Sequence, residues 1–321
     1  MKSFTLSRRA AMGCATTLHG ALRAFFVAAL LLFPPLAGSA GYGGSETRHA
    51  VRHTLAAADG ATLDVCVMGD GPPLLVLTGY AMTSEMWDAT FIRELAASRQ
   101  VILMDNRGMG PSPLGEGREI SLRRMALDAE AVLDLMAIDR ADVLGWSMGG
   151  MITQELALMR PDRVRSLVLV ASAADIGPLL PALDRMKAMG GEEIRQAMFP
   201  AEWAVRHVEA HKRIEPRPRP PDVRVIQGQE AAMRQWEGTT DRLADLRAPV
   251  LIVAGGRDWV CPPEAGRVMY ERLEARTDAP VVMQIVAQGG HWMMHQFPEM
   301  LAGMVDGFLG RDHLGARADV R

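Results

Sequence analysis

The sequence predicts an α/β fold in which helices cover both faces of a doubly wound, mostly parallel sheet of about eight strands. The first observation is a series of short runs of Val, Ile and Leu, which are typical of strands buried on both faces. The second is that the segments between these runs have apolar residues at helical spacing, and this alternation favours right-handed strand–helix–strand units. The third is a stretch of about seventy residues without a strand-like run, which predicts an inserted helical cap.

The first forty residues differ in composition from the rest of the chain. Lys2, Arg8 and Arg9 precede the apolar run 24–33, and small residues follow it up to Ala40. A basic start, a short apolar middle and a small-residue end are the parts of an export signal. We therefore expect residues 1–40 to direct export to the periplasm or the medium, by the Sec or the twin-arginine route, with an N-terminal membrane anchor as the alternative. No stable membrane span is expected in the mature chain.

The core begins with a predicted antiparallel hairpin. Residues 49–56 and 61–67 flank Asp59-Gly60, a pair that is typical of tight turns between strands. The strand-like runs that follow are residues 74–77, 101–104, 143–144, 167–170, 250–253 and 281–286. Strands and turns together therefore predict eight strands, the first two antiparallel.

Helical spacing of apolar residues predicts helices over residues 120–136 and 149–159. In the stretch without strands, apolar residues also recur at helical spacing, for example from Leu179 to Met189. The domain organisation predicted from these patterns is an export signal (1–40), a core (46–171 and 247–310), a helical cap (172–246) and a polar tail (311–321).

Composition excludes several classes of function. The chain is 49% hydrophobic and 23% charged with a net charge of −3, values that are typical of a folded globular protein and give no basic footprint for nucleic acid. It has no metal-ligand cluster with recognisable spacing and no Gly-rich dinucleotide or phosphate loop, so we expect no metal and no organic cofactor. Cys66 alternates with apolar neighbours, which favours a buried free thiol. The sequence leaves open whether Cys66 pairs with Cys261, and which oligomeric state the protein adopts.

The pentapeptide Gly145-Trp146-Ser147-Met148-Gly149 directly follows a short apolar run and precedes a predicted helix. A Gly-x-Ser-x-Gly in this context presents a serine hydroxyl on a sharp turn at the edge of a sheet. The context predicts that Ser147 is a nucleophile, whereas the motif alone also occurs in structural turns.

A serine hydroxyl needs a base, and the base needs a carboxylate that orients it. Asp258 directly follows the strand-like run 250–254, and His291 lies in a Gly-rich loop after the last strand. Because the carboxyl ends of parallel strands meet at one edge, both residues are expected beside Ser147. The alternatives are a helix-capping role for Asp258, a surface position for His291, and His295 as a rival base.

The oxyanion of an acyl-transfer intermediate needs backbone donors. The amide of Met148, directly after the nucleophile, is the first expected donor. The second is expected from the loop after the third strand, where Tyr80 is the preferred residue and Ala81 the alternative.

The chain resembles the α/β-hydrolase fold superfamily, in its small-esterase, enol-lactonase and cofactor-free haloperoxidase-like branch. The resemblance rests on four motifs, namely Gly145 to Gly150, Asp105 to Ser112, Gly256-Arg257-Asp258 and Gly289-Gly290-His291-Trp292. It implies a triad of Ser147, Asp258 and His291, and a structural role for Asp105 and Arg107. The chain departs from the family at Thr78-Gly79, where His-Gly is usual, and Ser147 does not fit the aspartate-nucleophile dehalogenases and epoxide hydrolases of this fold.

These observations predict a serine hydrolase that cleaves a small-molecule carboxylic ester or lactone through an acyl-enzyme on Ser147. A carbon–carbon bond hydrolase and a perhydrolase with the same triad are alternatives, and a non-catalytic binding protein on the same scaffold is a third. Apolar and aromatic side chains near the nucleophile and in the cap are the candidates for a substrate pocket, namely Trp146, Met198, Trp203 and Trp236.

Overall fold

The computed structural model describes residues 50–310, apart from residues 58, 112–113, 115–118, 209–221 and 277–278. The expected export signal (1–40) and the polar tail (311–321) lie outside the described residues. Within the described ranges, no helix has the length and apolar character needed to cross a membrane. Cys66 and Cys261 are both buried free thiols, as predicted for Cys66.

The described residues contain one sheet of eight strands. In chain order the strands are β1 (Val51–Ala56), β2 (Thr62–Met68), β3 (Pro73–Leu77), β4 (Gln100–Met104), β5 (Ala141–Trp146), β6 (Val164–Val170), β7 (Val250–Gly255) and β8 (Val281–Val286). Their order across the sheet is β1-β2-β4-β3-β5-β6-β7-β8. Strand β2 is antiparallel to β1 and β4, and the other neighbouring strands are parallel. The predicted fold class and its antiparallel start are confirmed.

The carboxyl ends of the central strands lie side by side. Leu77 at the end of β3 pairs with Gly145 of β5, and Val170 at the end of β6 pairs with both Trp146 and Val253. Ligands of open α/β sheets bind beyond the carboxyl ends of the strands. The loops that leave β3, β5, β7 and β8 at this edge carry the candidate site described below.

Helices pack on both faces of this sheet. The described helices are α1 (Ala89–Ala96), α2 (Leu122–Leu135), α3 (Met148–Met159), α4 (Leu180–Met186), α5 (Gly191–Ala197), α6 (Ala201–Arg206), α7 (Val223–Arg234), α8 (Pro263–Glu274), α9 (Met293–Gln296) and α10 (Pro298–Leu309). Helices α2, α3 and α8 bury their apolar side chains in one core cluster, and α1 and α10 bury theirs in a second. The helices predicted over 120–136 and 149–159 are confirmed as α2 and α3.

The cap segment, residues 172–246, lies between β6 and β7 in the chain. Its described part contains α4, α5, α6 and α7, with short 3-10 turns at Gly177–Leu179 and Thr240–Asp245, and no strand. Met198 and Trp203 join the core cluster of α1 and α10, whereas Leu183 and Met233 join the cluster of α2 and α3. The segment thus contributes apolar side chains to both clusters.

The loop after β4 is fixed by a buried arginine. Arg107 is fully buried and forms two parallel hydrogen bonds with Asp128 of α2, at 2.6 and 2.7 Å. It also donates to Asp59 of the β1–β2 turn at 2.9 Å and to the Glu119 carbonyl at 3.0 Å. A bidentate, desolvated pair of this kind is strongly directional. Arg107 therefore ties the loop to α2 and to the hairpin, which is a structural role.

Asp105 of the same loop is a buried carboxyl. Its Oδ1 accepts a hydrogen bond from the Ser84 amide, and its backbone amide donates to the Asp64 carbonyl at 3.0 Å. Its Oδ2 has no hydrogen-bond partner among the described residues. Burial raises the pKa of Asp105 to about 7, although the Ser84 amide acts in the opposite direction. A buried carboxyl with one unpaired oxygen is more stable protonated.

We expect the stability of the protein to depend on Asp105 between pH 5 and 8. Because its folded-state pKa of about 7 lies above the ordinary value of 3.8, the folded chain retains, between these two pH values, a proton that the unfolded chain has lost. The resulting stabilisation is complete below the lower value and is lost as the pH rises through the higher one. In urea unfolding, the advantage of wild type over Asp105→Asn falls by about 2–3 kcal/mol from pH 5 to pH 8. A difference that stays constant with pH would contradict this assignment.

Candidate active site

Ser147 forms the sharp turn between β5 and α3. Its backbone has φ 54° and ψ −120°, a conformation that a residue with a side chain rarely adopts. Three hydrogen bonds hold it there, since its amide donates to the Val170 carbonyl at 2.9 Å and its carbonyl accepts from Ser172 Oγ at 2.8 Å and from the Gly150 amide at 2.9 Å. The strained turn presents the hydroxyl at the carboxyl edge of the sheet.

The glycines on either side of the turn allow the backbones to approach closely. A Cβ atom on Gly145 would lie 2.3 Å from the carbonyl oxygen of Gly149. A Cβ atom on Gly149 would lie 2.3 Å from the carbonyl oxygen of Leu77, at the end of β3. No side chain fits at these distances, so the Gly-x-Ser-x-Gly spacing follows from the contact between β5, α3 and β3.

We expect Gly149→Ala to destabilise the fold by about 2–3 kcal/mol, because the new methyl group displaces the end of β3. Gly303→Ala is the matched control, since it also lies in a helix, α10, but has no atom within 4 Å of the added Cβ. There the higher helix propensity of alanine is expected to stabilise by about 0.5–1 kcal/mol. Urea unfolding of both variants measures the contrast, and equal changes would contradict the steric account.

Ser147, His291 and Asp258 form one hydrogen-bonded chain. His291 Nε2 lies 3.1 Å from Ser147 Oγ, and His291 Nδ1 lies 2.8 Å from Asp258 Oδ2. All three residues are buried, with at most 4% of their surface exposed. These are the distances and the low-dielectric setting in which an imidazole can take the proton of a serine hydroxyl.

The carboxylate of Asp258 is oriented by backbone donors. Its second oxygen, Oδ1, accepts hydrogen bonds from the amides of Val260 and Cys261, at 2.8 and 2.9 Å. Oδ2 is thereby left facing His291 Nδ1. The predicted alternative, a cap of the helix that begins near Pro262, is realised only in part, because Asp258 bonds the two amides that precede that residue while also bonding the histidine.

The loop that carries His291 is fixed on several sides. The Trp146 indole donates from Nε1 to the His291 carbonyl at 2.9 Å, and the two rings lie 4.9 Å apart between centroids. The amide of Gly290 donates to Gln296 Oε1 at 2.6 Å, and the amide of Trp292 donates to the Met198 carbonyl at 3.2 Å. The histidine is therefore held by β5, by the following helix and by the cap segment.

Two backbone amides are candidate donors to an oxyanion. Met148 is the first residue of α3, and the first amides of a helix have no acceptor within the helix. The positive end of the helix dipole also favours an anion at this place. In the loop after β3, the Ala81 amide donates to Gln229 Oε1 at 2.9 Å. The alternative donor Ala81 is thus engaged with Gln229, and the assignment of Tyr80 stays a prediction.

The candidate site brings together a serine hydroxyl, an imidazole and a carboxylate. Among residues 50–310, as far as the structure describes them, no group of three or more His, Cys, Asp or Glu side chains could hold a metal ion. The arrangement is suited to nucleophilic attack by Ser147 with proton transfer through His291.

Comparison with known proteins shows the family. Residues 74–304 match the sequence profile described as the alpha/beta hydrolase family. The chain belongs to this family. RutD of Azorhizobium caulinodans, which is provisionally named a carbamate hydrolase, is 30% identical over 258 residues, or 76% of this chain and 93% of RutD.

Solved structures of alpha/beta hydrolases resemble this one. A hydrolase from Pseudomonas aeruginosa PA01 is 28% identical with a TM-score of 0.68, and the match covers 81% of this chain and 98% of that one. The enol-lactonase from Burkholderia xenovorans LB400 is 20% identical with a TM-score of 0.69, covering 81% of this chain and all of that one (100%), and shows the shared fold.

His295, the rival base in this alpha/beta hydrolase, is engaged elsewhere. Its Nε2 lies 3.1 Å from the Met86 carbonyl, and its ring packs beside Trp292 and Phe199. The structure brings His291, and not His295, into hydrogen-bond distance of Ser147.

The four pocket candidates of this hydrolase do not lie together. Trp146, Met198 and Trp203 belong to the core cluster of α1 and α10. Trp203 stacks between Phe199 and His207, with centroid distances of 5.1 and 4.6 Å. Trp236 instead packs against the cluster of α2 and α3.

Trp236 also makes a polar contact away from the other three candidates. Its indole N–H donates to Glu155 Oε1 of α3 at 2.7 Å. The sequence shows an aromatic residue after α7 but not which face of the sheet it reaches. Sequence reasoning also missed Gln229, whose only signal is a polar residue among the buried positions Val225, Ala232 and Met233 of α7.

Proposed function

We propose that this alpha/beta hydrolase is a serine hydrolase that cleaves a carboxylic ester or lactone through an acyl-enzyme on Ser147. The observation that carries the proposal is the buried chain from Asp258 through His291 to Ser147, with hydrogen-bond distances of 2.8 and 3.1 Å. A hydrogen-bonded chain of this kind makes a serine hydroxyl nucleophilic.

In the first half of the proposed reaction, Ser147 Oγ attacks the substrate carbonyl carbon while His291 Nε2 takes the hydroxyl proton. Asp258 holds the Nδ1–H of the imidazole and stabilises its positive charge. The carbonyl oxygen becomes an oxyanion, which the amides of Met148 and Tyr80 stabilise. The carbon–oxygen bond to the leaving group then breaks, and His291 returns the proton to the departing alcohol or to the ring-opened lactone hydroxyl.

In the second half, a water molecule gives a proton to His291 and attacks the acyl-enzyme carbonyl. The same amides hold the second oxyanion. Collapse of this intermediate breaks the bond to Ser147 Oγ, which takes back the proton from His291, and releases the carboxylic acid. No redox step and no co-reactant other than water are needed.

The cap segment is proposed to supply the apolar walls of the acyl site. The Met198 carbonyl accepts from the Trp292 amide next to His291, and Trp203 follows on the adjoining helix α6. Both side chains are more than nine-tenths buried. An apolar, aromatic wall at this place favours small acyl groups without charge.

A panel of substrates tests the reaction class. p-Nitrophenyl esters of increasing chain length and simple lactones are expected to be hydrolysed, whereas a carbon–carbon bond hydrolase would prefer a vinylogous diketone. Carbamates form a separate arm, because RutD, which shares 30% identity, carries that name. Addition of peroxide with a carboxylic acid tests perhydrolysis. Turnover of none of the esters or lactones by folded protein would contradict the proposal.

We also propose that the chain is exported, on the basis of the basic start and the apolar run 24–33 within residues 1–40. Mass spectrometry of protein recovered from the periplasm or medium is expected to find an N-terminus close to residue 41. Retention of Met1 on protein confined to the cytoplasm would contradict export.

A further inference from the structure

The loop that carries Tyr80 contains a residue in an unfavourable conformation. Residues 79–82 form a turn in which the Met82 amide donates to the Gly79 carbonyl at 3.3 Å. Ala81, the third residue of this turn, has φ 57°. Glycine normally takes this position when φ is positive, since a Cβ atom is strained there. The turn therefore needs a contact that holds Ala81 in place.

Gln229 of the cap helix α7 provides that contact. Its Oε1 accepts from the Ala81 amide at 2.9 Å, although 148 residues separate the two in the chain. The side chain is fully buried, and its Nε2 has no hydrogen-bond partner among the described residues. Burying an amide with an unsatisfied nitrogen is costly. Its presence on an otherwise apolar buried helix face points to a role for its bond with the Ala81 amide.

Helix α7 is itself anchored to the helix that begins at the nucleophile. After α7, Thr239 Oγ1 donates to Gln154 Oε1 at 2.6 Å, and Trp236 and Arg242 both donate to Glu155 of α3. These bonds do not involve Gln229. Contacts with α3 therefore set the position of α7, the helix whose Gln229 accepts the bond from Ala81.

The other side of Tyr80 is fixed as well. A Cβ atom on Gly79 would lie 2.2 Å from the Trp146 ring, so Gly79 lies directly on the residue that precedes Ser147. The peptide before Tyr80 is thereby packed against β5, and the peptide after it is bonded to α7. The direction of the Tyr80 amide is set by these two contacts.

We propose that Gln229 is a positioning residue. It holds residues 79–82, the oxyanion loop, so that the Tyr80 amide converges with the Met148 amide on the substrate oxygen. This inference rests on the proposed acyl-transfer function. It makes the cap part of the catalytic geometry, because an acceptor on α7 orients a donor of the oxyanion site. Gln229 acts through Tyr80 and Ala81 and does not touch the reacting atoms.

Kinetics of Gln229→Met on p-nitrophenyl acetate, together with the affinity of an alkyl trifluoromethyl ketone, test the inference. Methionine keeps the length and bulk of glutamine but offers the Ala81 amide no comparable acceptor. We expect kcat to fall about 10- to 30-fold with KM within about twofold, because an oxyanion donor acts mainly in the transition state. The ketone forms an oxyanion on the serine, so its inhibition constant is expected to rise by a similar factor.

Two further variants separate positioning from packing. Gln229→Glu retains an oxygen acceptor at the same place and is expected to keep kcat within about threefold of wild type. Val225→Ala removes buried volume from the same helix, at a side chain that packs against Gly108 of the loop after β4. Its kcat is expected to stay within about twofold of wild type.

Three results would overturn the role of Gln229. They are a folded Gln229→Met protein with kcat within twofold of wild type, an unchanged affinity for the ketone, or an equal loss of kcat in Val225→Ala. Ser147→Ala, measured in parallel, distinguishes this failure from failure of the proposed function. Hydrolysis that survives in Ser147→Ala overturns the proposed function, whereas hydrolysis lost there but unchanged in Gln229→Met overturns only the role of Gln229.

Discussion

Replacing Ser147 by alanine is expected to lower kcat for ester hydrolysis by about 10⁵- to 10⁶-fold, which is the usual cost of losing the nucleophile of a triad. The alanine removes the hydroxyl oxygen on which the proposed acyl-enzyme forms, while His291 and Asp258 remain bonded to each other at 2.8 Å. Substrate binding is expected to survive, because the cap segment and the backbone amides of Met148 and Tyr80 are unchanged. Steady-state kinetics on the best ester of the panel, with the inhibition constant of a product acid, measures both effects.

Ser166→Ala is the matched control for this variant. Ser166 is also a buried serine, with 4% of its surface exposed, but it lies near the amino end of β6, away from the carboxyl edge of the sheet. Its kcat is expected to stay within about twofold of wild type. If the two serine variants lost activity equally, the loss would reflect impaired folding and not removal of the nucleophile.

The second large effect is expected from His291→Ala, with a fall in kcat of about 10⁵- to 10⁶-fold. The variant lacks the imidazole ring whose Nε2 lies 3.1 Å from Ser147 Oγ and is the proposed base. The Ser147 proton then has no acceptor. The double variant Ser147→Ala/His291→Ala is expected to be hardly slower than either single variant, because residues that act as one unit are strongly non-additive.

His295→Ala is the control for the choice of base. His295 bonds the Met86 carbonyl and packs beside Trp292, so its loss is expected to reduce activity by less than about tenfold, through packing. Equal losses in His291→Ala and His295→Ala would contradict the assignment of the base. Thermal unfolding of both variants establishes that the comparison is made on folded protein.

Much of this architecture could be predicted because it depends on local patterns. The buried strands are continuous apolar runs, and Ser147, Asp258 and His291 each follow directly on such a run or its loop. Once the strands are parallel, their carboxyl ends meet at one edge, and the residues that follow them come together. The structure places these three residues within hydrogen-bond distance for this reason.

The contacts that span long separations could not be predicted in the same way. The bond between Gln229 and Ala81 joins residues 148 positions apart, and it depends on how the cap helix α7 packs over the loop after β3. Trp236 fits an aromatic pocket residue by type alone, but its bond to Glu155 places it with the cluster of α2 and α3. Neither packing arrangement can be inferred from a local sequence pattern.

The pKa of a buried carboxyl could not be predicted from the local sequence either. Asp105 belongs to a loop with a structural role, but its raised pKa follows from burial and, to a smaller extent, from the nearby Asp64 carboxylate. These depend on the tertiary surroundings of the carboxyl and not on its neighbours in sequence.

The central claim is that Ser147 is an activated nucleophile, and covalent labelling tests it most directly. Folded protein treated with a fluorophosphonate is expected to gain the mass of one adduct per chain, and peptide mapping is expected to place the adduct on Ser147. His291→Ala, which retains the hydroxyl but lacks its base, is expected to react at least about a hundredfold more slowly. The absence of an adduct on folded wild-type protein, or an adduct on another residue with Ser147 unmodified, would contradict the account.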